Sequence, residues 1–173
     1  MELASIASGS SGNCIYIGNK TSHFLIDTGI SRKRIVEGLA QMEITPDMID
    51  GIFITHEHMD HISGLGVFLR KYPVPVFATS KTIDAILSTR SLGDMNPELF
   101  HSLSPDHSVR IGDITANASS IYHDAADPVC YTFTDEQSKV GIATDLEPMT
   151  IILLKKCRDV NLFLWRQTMI SIC

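Results

Sequence analysis

Three imidazoles and two carboxylates stand within the six residues His56-Glu57-His58-Met59-Asp60-His61, directly behind the apolar run Gly51-Ile52-Phe53-Ile54-Thr55. Imidazole and carboxylate are the side chains that bind first-row divalent metals, and this segment offers enough of them for two ions. The run ahead of it is short, β-branched and aromatic, which predicts a buried strand. Ile62 to Tyr72 follows with apolar residues at helical spacing. The ligand-type residues are therefore expected on a tight loop at the carboxyl end of a strand, where α/β proteins place their chemistry. A surface histidine cluster is the plainer reading, but it has no need to lie between a buried strand and a helix.

The rest of the chain alternates in the same way. Short apolar segments separated by Gly, Asn, Asp and Ser predict strands at Leu3–Ala7, Cys14–Ile17, Phe24–Ile26, Ile52–Ile54, Val74–Ala78, Ile114–Ile121, Val129–Phe133, Val140–Ala143 and Val160–Leu164. Helical spacing predicts helices at Arg32–Ala40, Ile62–Tyr72, Ser80–Leu87 and Met149–Lys156, with Ser31 and Ser80 as N-caps. Clustered strands with intervening helices predict an α/β layered domain whose sheets are covered by helices. There is no repeat, linker or low-complexity tract, so residues 1–173 read as one domain.

Four of these strands end on a residue of ligand type. Phe24-Leu25-Ile26 runs into Asp27, Ile52-Phe53-Ile54-Thr55 into His56, Ser119-Ser120-Ile121-Tyr122 into His123, and Val140-Gly141-Ile142-Ala143-Thr144 into Asp145. Four strands that deliver their carboxyl-end residues to one rim make a preorganised site on rigid elements. Taken singly, His123 reads as a surface or core histidine, and Asp27 and Asp145 as turn residues or caps. The Ser8–Asn13 stretch reads equally as a hairpin turn or as a phosphate-contacting loop in which Ser10, Ser11 and Asn13 bind substrate. Arg32-Lys33-Arg34 opens a helix whose dipole it opposes, which marks a phosphate contact or, more simply, a solvated charge run. His23, His101 and His107 have no ligand-type neighbours and read as ordinary, and Cys14 and Cys130 read as buried strand residues.

Composition bounds the classes. No apolar run reaches the ~18 residues of a membrane span. The acidic start shows no leader peptide. The four cysteines, Cys14, Cys130, Cys157 and Cys173, form no CxxC; their scatter argues against a disulfide framework or a thiolate zinc site and predicts a cytoplasmic protein. A net charge of −6 weighs against nucleic acid as a partner, an objection that bound divalent ions offset locally.

Together, His56-x-His58-x-Asp60-His61, Asp27 upstream, and His123 and Asp145 downstream resemble the metallo-β-lactamase superfamily of binuclear metal hydrolases. Ser8-Gly9-Ser10-Ser11-Gly12-Asn13, Ile26-Asp27-Thr28-Gly29-Ile30 and Ala143-Thr144-Asp145-Leu146 narrow the resemblance to its WalJ (YycJ)-like branch, associated with nuclease-type phosphodiester hydrolysis. The resemblance runs from Met1 to about Val160 and implies an αββα sandwich with the metals at one edge of two packed sheets. It implies that His56, His58 and His123 hold one metal, that Asp60 and His61 hold the second, and that Asp145 bridges them. Asp60 and Asp27 are the carboxylates on which catalysis depends, Asp27 by orienting a ligand histidine through its other ring nitrogen. Two divalent ions ~3.5–4 Å apart lower the pKa of a bridging water, and the resulting hydroxide attacks phosphorus in line. Nitrogen-rich metal 1 suits Zn²⁺, and an oxygen-richer metal 2 admits Mn²⁺. DNA is the implied substrate, with no membrane partner. The same core serves thioester and lactam carbonyls, which is the alternative activity, and an inactive truncated product is the non-enzymatic alternative.

The resemblance departs from its pattern at the C-terminus. Members of the superfamily supply a last histidine to the second metal, whereas here no histidine follows His123 and the chain stops at Cys173. A C-terminally truncated chain with an incomplete second half and a weakened second site is the expectation. The branch carries a strand ending like Leu-Glu-Ala-Asn-His-Asp where this chain has Leu164-Trp165-Arg166-Gln167-Thr168-Met169-Ile170-Ser171. The codons TGG-AGG-CAA-ACC-ATG-ATA-TCN, read from the third base of the Trp codon, give Glu-Ala-Asn-His-Asp-Ile; of these only the Asp is forced. We therefore expect 165–173 to be a frameshifted tail.

Overall fold

Strand runs that are apolar at every position require cover on both faces, and the computed structural model supplies it. The structure describes residues 1–145 together with the backbone of Leu162–Trp165 and Thr168–Ile170. The first sheet has the order β1 (Glu2–Ala7), β2 (Cys14–Gly18), β3 (His23–Ile26), β4 (Gly51–Phe53), β5 (Val76–Ala78), β6 (Phe100–Ser102). Its first three strands pair antiparallel and β3 to β6 pair parallel. The second sheet runs β12 (Thr168–Ile170), β11 (Leu162–Trp165), β10 (Lys139–Ala143), β9 (Val129–Thr134), β8 (Ile114–Ser120), β7 (Ser108–Ile111).

Parallel neighbours need crossovers, and helices fill them. α1 (Arg32–Ala40) joins β3 to β4, α2 (Met59–Ile62) and α3 (Leu65–Leu69) join β4 to β5, and α4 (Ser80–Ser88) joins β5 to β6. Cys14, Tyr16, Leu25, Ile52, Val76 and Ala78 of the first sheet pack with Ile35, Leu39, Leu65, Phe68 and Ile86 of these helices. The alternate residues, Ile15, Ile17, Phe24, Ile26, Phe53 and Phe77, face Ala116, Ala118, Tyr131, Phe133, Val140 and Ile142 of the second sheet. The predicted layered architecture is borne out, with helices on one sheet and two sheets face to face. Phe53 sits at the centre of the inter-sheet core, in edge or stacked contact with Phe24, Phe77, Tyr131 and Phe133.

Several local expectations are corrected. The predicted helix Ile62–Tyr72 is two short helices broken at Gly64, where a Cβ would stand 1.9 Å from the Ile30 carbonyl oxygen and the Gly64 N–H donates to the Thr28 carbonyl at 2.8 Å. α2 also starts inside the ligand segment, so Asp60 and His61 belong to a helical turn rather than a loop. Thr79, not Ser80, caps α4, accepting from the Thr82 N–H at 3.4 Å; Ser31 caps α1 as predicted. β6 and β7 escape sequence reading because they are short edge strands with exposed polar residues, His101 and Ser102 in one and Ser108 and Arg110 in the other. The predicted helix at Met149–Lys156 lies outside the described residues, as do Cys157 and Cys173. Of the tail from Trp165 onward, only the backbone of Trp165 and of Thr168–Ile170 is described, the latter paired with β11.

At the end away from the predicted site the two sheets are joined by polar contacts. Asp113, between β7 and β8, accepts from the Asn19 amide at 2.9 Å, the Thr21 hydroxyl at 3.0 Å and the Ser22 hydroxyl at 3.2 Å, all in the β2–β3 turn. The Asn19 amide first, with lesser help from the Thr21 hydroxyl, the Asp113 backbone and the Ser22 hydroxyl, holds the Asp113 carboxyl below its ordinary value against an opposing effect of burial. A depressed folded pKa stabilises above the unfolded pKa, and that stabilisation is lost as pH falls through the folded value. The melting temperature should therefore fall on acidification through and below the ordinary carboxylate range. Asp113→Asn should flatten that part of the pH profile, as read by a thermal melt series.

Candidate metal centre

The carboxyl ends of β3, β4, β8 and β10 meet at one rim, and each hands over a titratable side chain. Asp27 leaves β3 with φ 57° and Asp145 follows β10 with φ 50°. Both occupy left-handed conformations that Asp tolerates better than most residues, and such outliers collect at functional sites. His56 is fully buried behind β4, while His58 opens α2 as its cap with extended backbone. His123 arrives on the loop after β8. That loop is tied to the rest of the site at several points. The Ala126 N–H donates to Glu57 Oε1 at 2.8 Å, the Thr79 hydroxyl donates to the Asp127 carbonyl at 3.1 Å, and Val129 N–H donates to the Thr55 carbonyl at 3.0 Å.

Two overlapping groups result. The ligand atoms of His56, His58 and His123 all lie within 4.8 Å of one another, and so do those of His56, His61 and Asp145. His56 belongs to both. Within the first group His123 Nε2 stands 3.3 Å from His58 Nδ1. Within the second, Asp145 Oδ2 stands 2.7 Å from His61 Nε2 and 3.5 Å from His56 Nε2, and Asp60 Oδ2 lies 3.5 Å from His61 Nε2.

The donor set fits a cation. His61 Nδ1 donates to Asp27 Oδ2 at 2.7 Å, so in the neutral ring Nε2 carries a lone pair, and that lone pair faces the Asp145 carboxylate. Two electron-rich atoms approach this closely in a buried place only when a proton or a metal ion lies between them. Three further imidazoles converge beside the pair. Divalent metals of the zinc type are the ions that nitrogen and carboxylate donors of this kind hold.

Asn13 takes another place than the sequence reading gave it, and Asp27 stands against a histidine. Asp27 is 0% exposed and accepts from His61 Nδ1, from the Thr55 N–H at 2.9 Å and from the Thr55 hydroxyl at 2.9 Å. It has no access to a substrate, and its contact with His61 Nδ1 is that of a carboxylate that orients a histidine through its other ring nitrogen. Asn13, expected to bind substrate, is 3% exposed. Its amide nitrogen lies 3.2 Å from Asp60 Oδ2 and 3.0 Å from His61 Nε2, and its oxygen accepts from the Gly9 N–H at 3.0 Å. Its side chain is spent on the metal loop. Ser10 and Ser11 are exposed on the β1–β2 hairpin turn, and no contact brings them to the histidines. Lys33 is a solvated charge, 84% exposed and 3.8 Å from Glu37. His23 is a buried partner of the Tyr16 hydroxyl at 2.7 Å, and His101 stacks on Phe77. Cys14 and Cys130 are buried, and burial pushes the Cys14 thiol up, with the Asp27 charge adding to it.

Sequence reading missed Thr55, Thr144 and Tyr122. The first two are buried hydroxyls that contact each other across the sheets at 3.2 Å. Tyr122 is 67% exposed directly before His123. Thr and Tyr at strand ends carry no sequence signal of their own; only the preceding ligand positions point to them.

Two sheets with a histidine and carboxylate rim of this form define a class, and comparison identifies it. The chain belongs to the metallo-beta-lactamase superfamily, whose family description matches residues 7–169. It is 36% identical over 145 residues to the exodeoxyribonuclease YycJ of Bacillus anthracis, covering 84% of this chain and 54% of that protein. It is 36% identical over 140 residues to the exodeoxyribonuclease WalJ of Streptococcus pneumoniae serotype 2, covering 81% and 52%. The chain thus spans about half the length of the curated relatives it matches. Among solved structures, it superposes on a B3 metallo-beta-lactamase with an active-site glutamic acid at a TM-score of 0.73 and 12% identity, over 95% of this chain and 75% of that one. The subclass B3 enzyme MEM-A1 from a soil metagenome gives 0.70 and 16% over 95% and 76%. At these identities the likeness is one of fold. No described helix is long and apolar enough to cross a membrane.

Proposed function

We propose that this chain carries the metal-holding part of a binuclear phosphodiesterase acting on DNA, of the exonuclease kind named in its relatives. The observation that carries the reading is the pair of overlapping ligand groups sharing His56, at the rim of a chain related to two exodeoxyribonucleases. In this reading His56, His58 and His123 would hold one ion, His61 and Asp60 would hold the second, and Asp145 would serve as a carboxylate ligand beside His61. Ions held there supply Lewis acidity toward phosphoryl oxygens and a water of lowered pKa. The first group, all nitrogen, suits zinc, and the carboxylate-bearing second admits manganese.

The residues around the ions do the rest. Asp27 fixes His61, Asn13 fastens the α2 turn to the β1–β2 hairpin, and Glu57 anchors the loop of His123. Exposed Tyr122 and Met59, next in sequence to His123 and His58, give the rim an aromatic and apolar edge for a nucleobase. The chain's net charge of −6 is offset at the rim by the ions. We place the activity in the cytoplasm, in accord with cysteines scattered without a disulfide framework.

A turnover panel tests this reading. The chain, loaded with Zn²⁺ or Mn²⁺, is given bis-p-nitrophenyl phosphate, single- and double-stranded oligodeoxynucleotides, a thioester and a β-lactam. Phosphodiester cleavage with release of nucleotides from DNA ends is the expected result. Turnover of the thioester or lactam with no phosphodiester cleavage overturns the assignment in favour of carbonyl chemistry.

A further inference from the structure

The hydroxyl of Thr55 stands at the crossing point of the site. Its oxygen lies 2.9 and 3.1 Å from the two oxygens of Asp27, 3.0 Å from His56 Nδ1 and 3.2 Å from the Thr144 hydroxyl. All four residues are at most 3% exposed, so these groups satisfy one another rather than water. A hydroxyl has one proton and two lone pairs. The carboxylate of Asp27 offers only lone pairs, so the Thr55 proton points to it. A proton directed elsewhere would leave two sets of lone pairs facing each other in a dry place. Both lone pairs of Thr55 are then open to donors. Thr144 O–H fills one and His56 Nδ1 fills the other, which requires that Nδ1 carry the proton of the ring. His56 Nε2 then carries the lone pair of the ring, and Nε2 is the atom that stands 3.5 Å from Asp145.

We propose that Thr55 is a positioning residue that lets the single carboxylate of Asp27 set the tautomer of two metal-site histidines, His61 directly and His56 through the hydroxyl. The backbone of Thr55 supports the same role. Its N–H donates to Asp27 at 2.9 Å, and its carbonyl accepts from Val129 at the start of β9. The residue therefore ties both sheets to the rim through main chain and side chain together. Thr144, delivered by β10 one position before Asp145, completes the hydroxyl's bonding from the second sheet. The consequence is shared dependence: Thr55 contacts His56 directly and His61 through Asp27, one histidine of each proposed ion, so disturbing Thr55 weakens both ions and not only the nearer one.

The inference rests on the reading of His56 and His61 as metal ligands and on nothing about the substrate. Its test is a zinc titration of the metal-free chain against a chromophoric chelator, run with Thr55→Val, Thr55→Ser and Thr144→Val. A thermal melt of each metal-free variant accompanies the titration. Valine keeps the shape and removes the hydroxyl; serine returns it. Thr55→Val is expected to weaken zinc binding 10- to 100-fold, the range for loss of a group that orients a ligand histidine. Thr55→Ser should bind within about threefold of the parent, and Thr144→Val should fall between the two. Long-range ¹⁵N spectra of the zinc-loaded parent should show His56 protonated at Nδ1. Parent-level zinc affinity in a folded Thr55→Val, or a His56 protonated at Nε2, overturns the proposal while leaving the metal site standing. If Thr55→Val fails to fold, Thr144→Val and the spectra carry the test, and parent-level affinity in Thr144→Val then overturns it. A parent that binds no zinc overturns the ligand reading and this inference with it.

Discussion

His56→Ala is expected to abolish tight metal binding among His56, His58 and His123 and to lower the proposed phosphodiesterase activity by more than about 100-fold, beyond the range for loss of an outer partner. The reason is that His56 is one of three nitrogen donors to the first ion and, with Nε2 3.5 Å from Asp145 Oδ2, stands against the second ligand group as well. His58→Ala removes a donor from the His123 group alone and should leave the His61 and Asp145 group able to take an ion weakly. Folding should survive His56→Ala, because Phe53 and its aromatic neighbours in the inter-sheet core are untouched. Metal content after gel filtration, compared with the melting temperature of the metal-free chain, separates the effects. Two tightly held metals per chain in His56→Ala would refute the assignment of His56 as a ligand.

Gly29→Ala is expected to destabilise the chain by about 3 kcal/mol or more and to scatter the metal loop, the upper range for forcing bulk into a filled space. Replacing glycine by alanine usually stabilises slightly, by roughly 0.4–1 kcal/mol, where the backbone and space allow it. Here the added Cβ would sit 1.6 Å from the Asp60 carbonyl oxygen and 2.8 Å from the His61 nitrogen, both backbone atoms. Neither gives way without breaking the knot of main-chain bonds at this point. Asn13 N–H donates to the Asp60 carbonyl at 2.7 Å, Gly29 N–H to Asn13 at 2.8 Å, and Thr28 N–H to His61 at 2.7 Å. These bonds fasten the β1–β2 hairpin, the turn after β3 and the α2 turn into one unit. Urea denaturation reads the loss in stability, and zinc titration of the folded fraction reads the loss in affinity. Parent-like values in both would show that the three segments are free to separate.

Much of the architecture is legible in the sequence because burial on two faces leaves a plain mark. Phe24-Leu25-Ile26 and Ile52-Phe53-Ile54 are apolar throughout since one set of residues meets the helices and the other meets the second sheet. Polar edge strands such as Phe100–Ser102 leave no such mark, having one neighbour and an exposed face. The break at Gly64 is invisible for a different reason: it answers the backbone of Thr28–Ile30, thirty-odd residues upstream, and not its own neighbours.

The site divides along the same line. The histidines and Asp60 are legible because their chemistry is packed into consecutive positions, and Asp27, His123 and Asp145 because each ends a strand. The supporting contacts are not. Thr55 and Thr144 stand 89 residues apart in sequence and meet only because β4 and β10 end at one rim. Asn13 reads as a turn residue until the hairpin is folded against Asp60. Short polar side chains take their meaning from tertiary neighbours, so a single sequence shows the ligand residues and hides what orients them.

An anomalous-difference map from crystals grown with zinc tests the central claim most directly. The account predicts one peak among His56, His58 and His123 and a second between His61 and Asp145, separated by the ~3.5–4 Å of two-metal sites. Zinc bound elsewhere on the chain, or no ordered zinc at this rim, would contradict it.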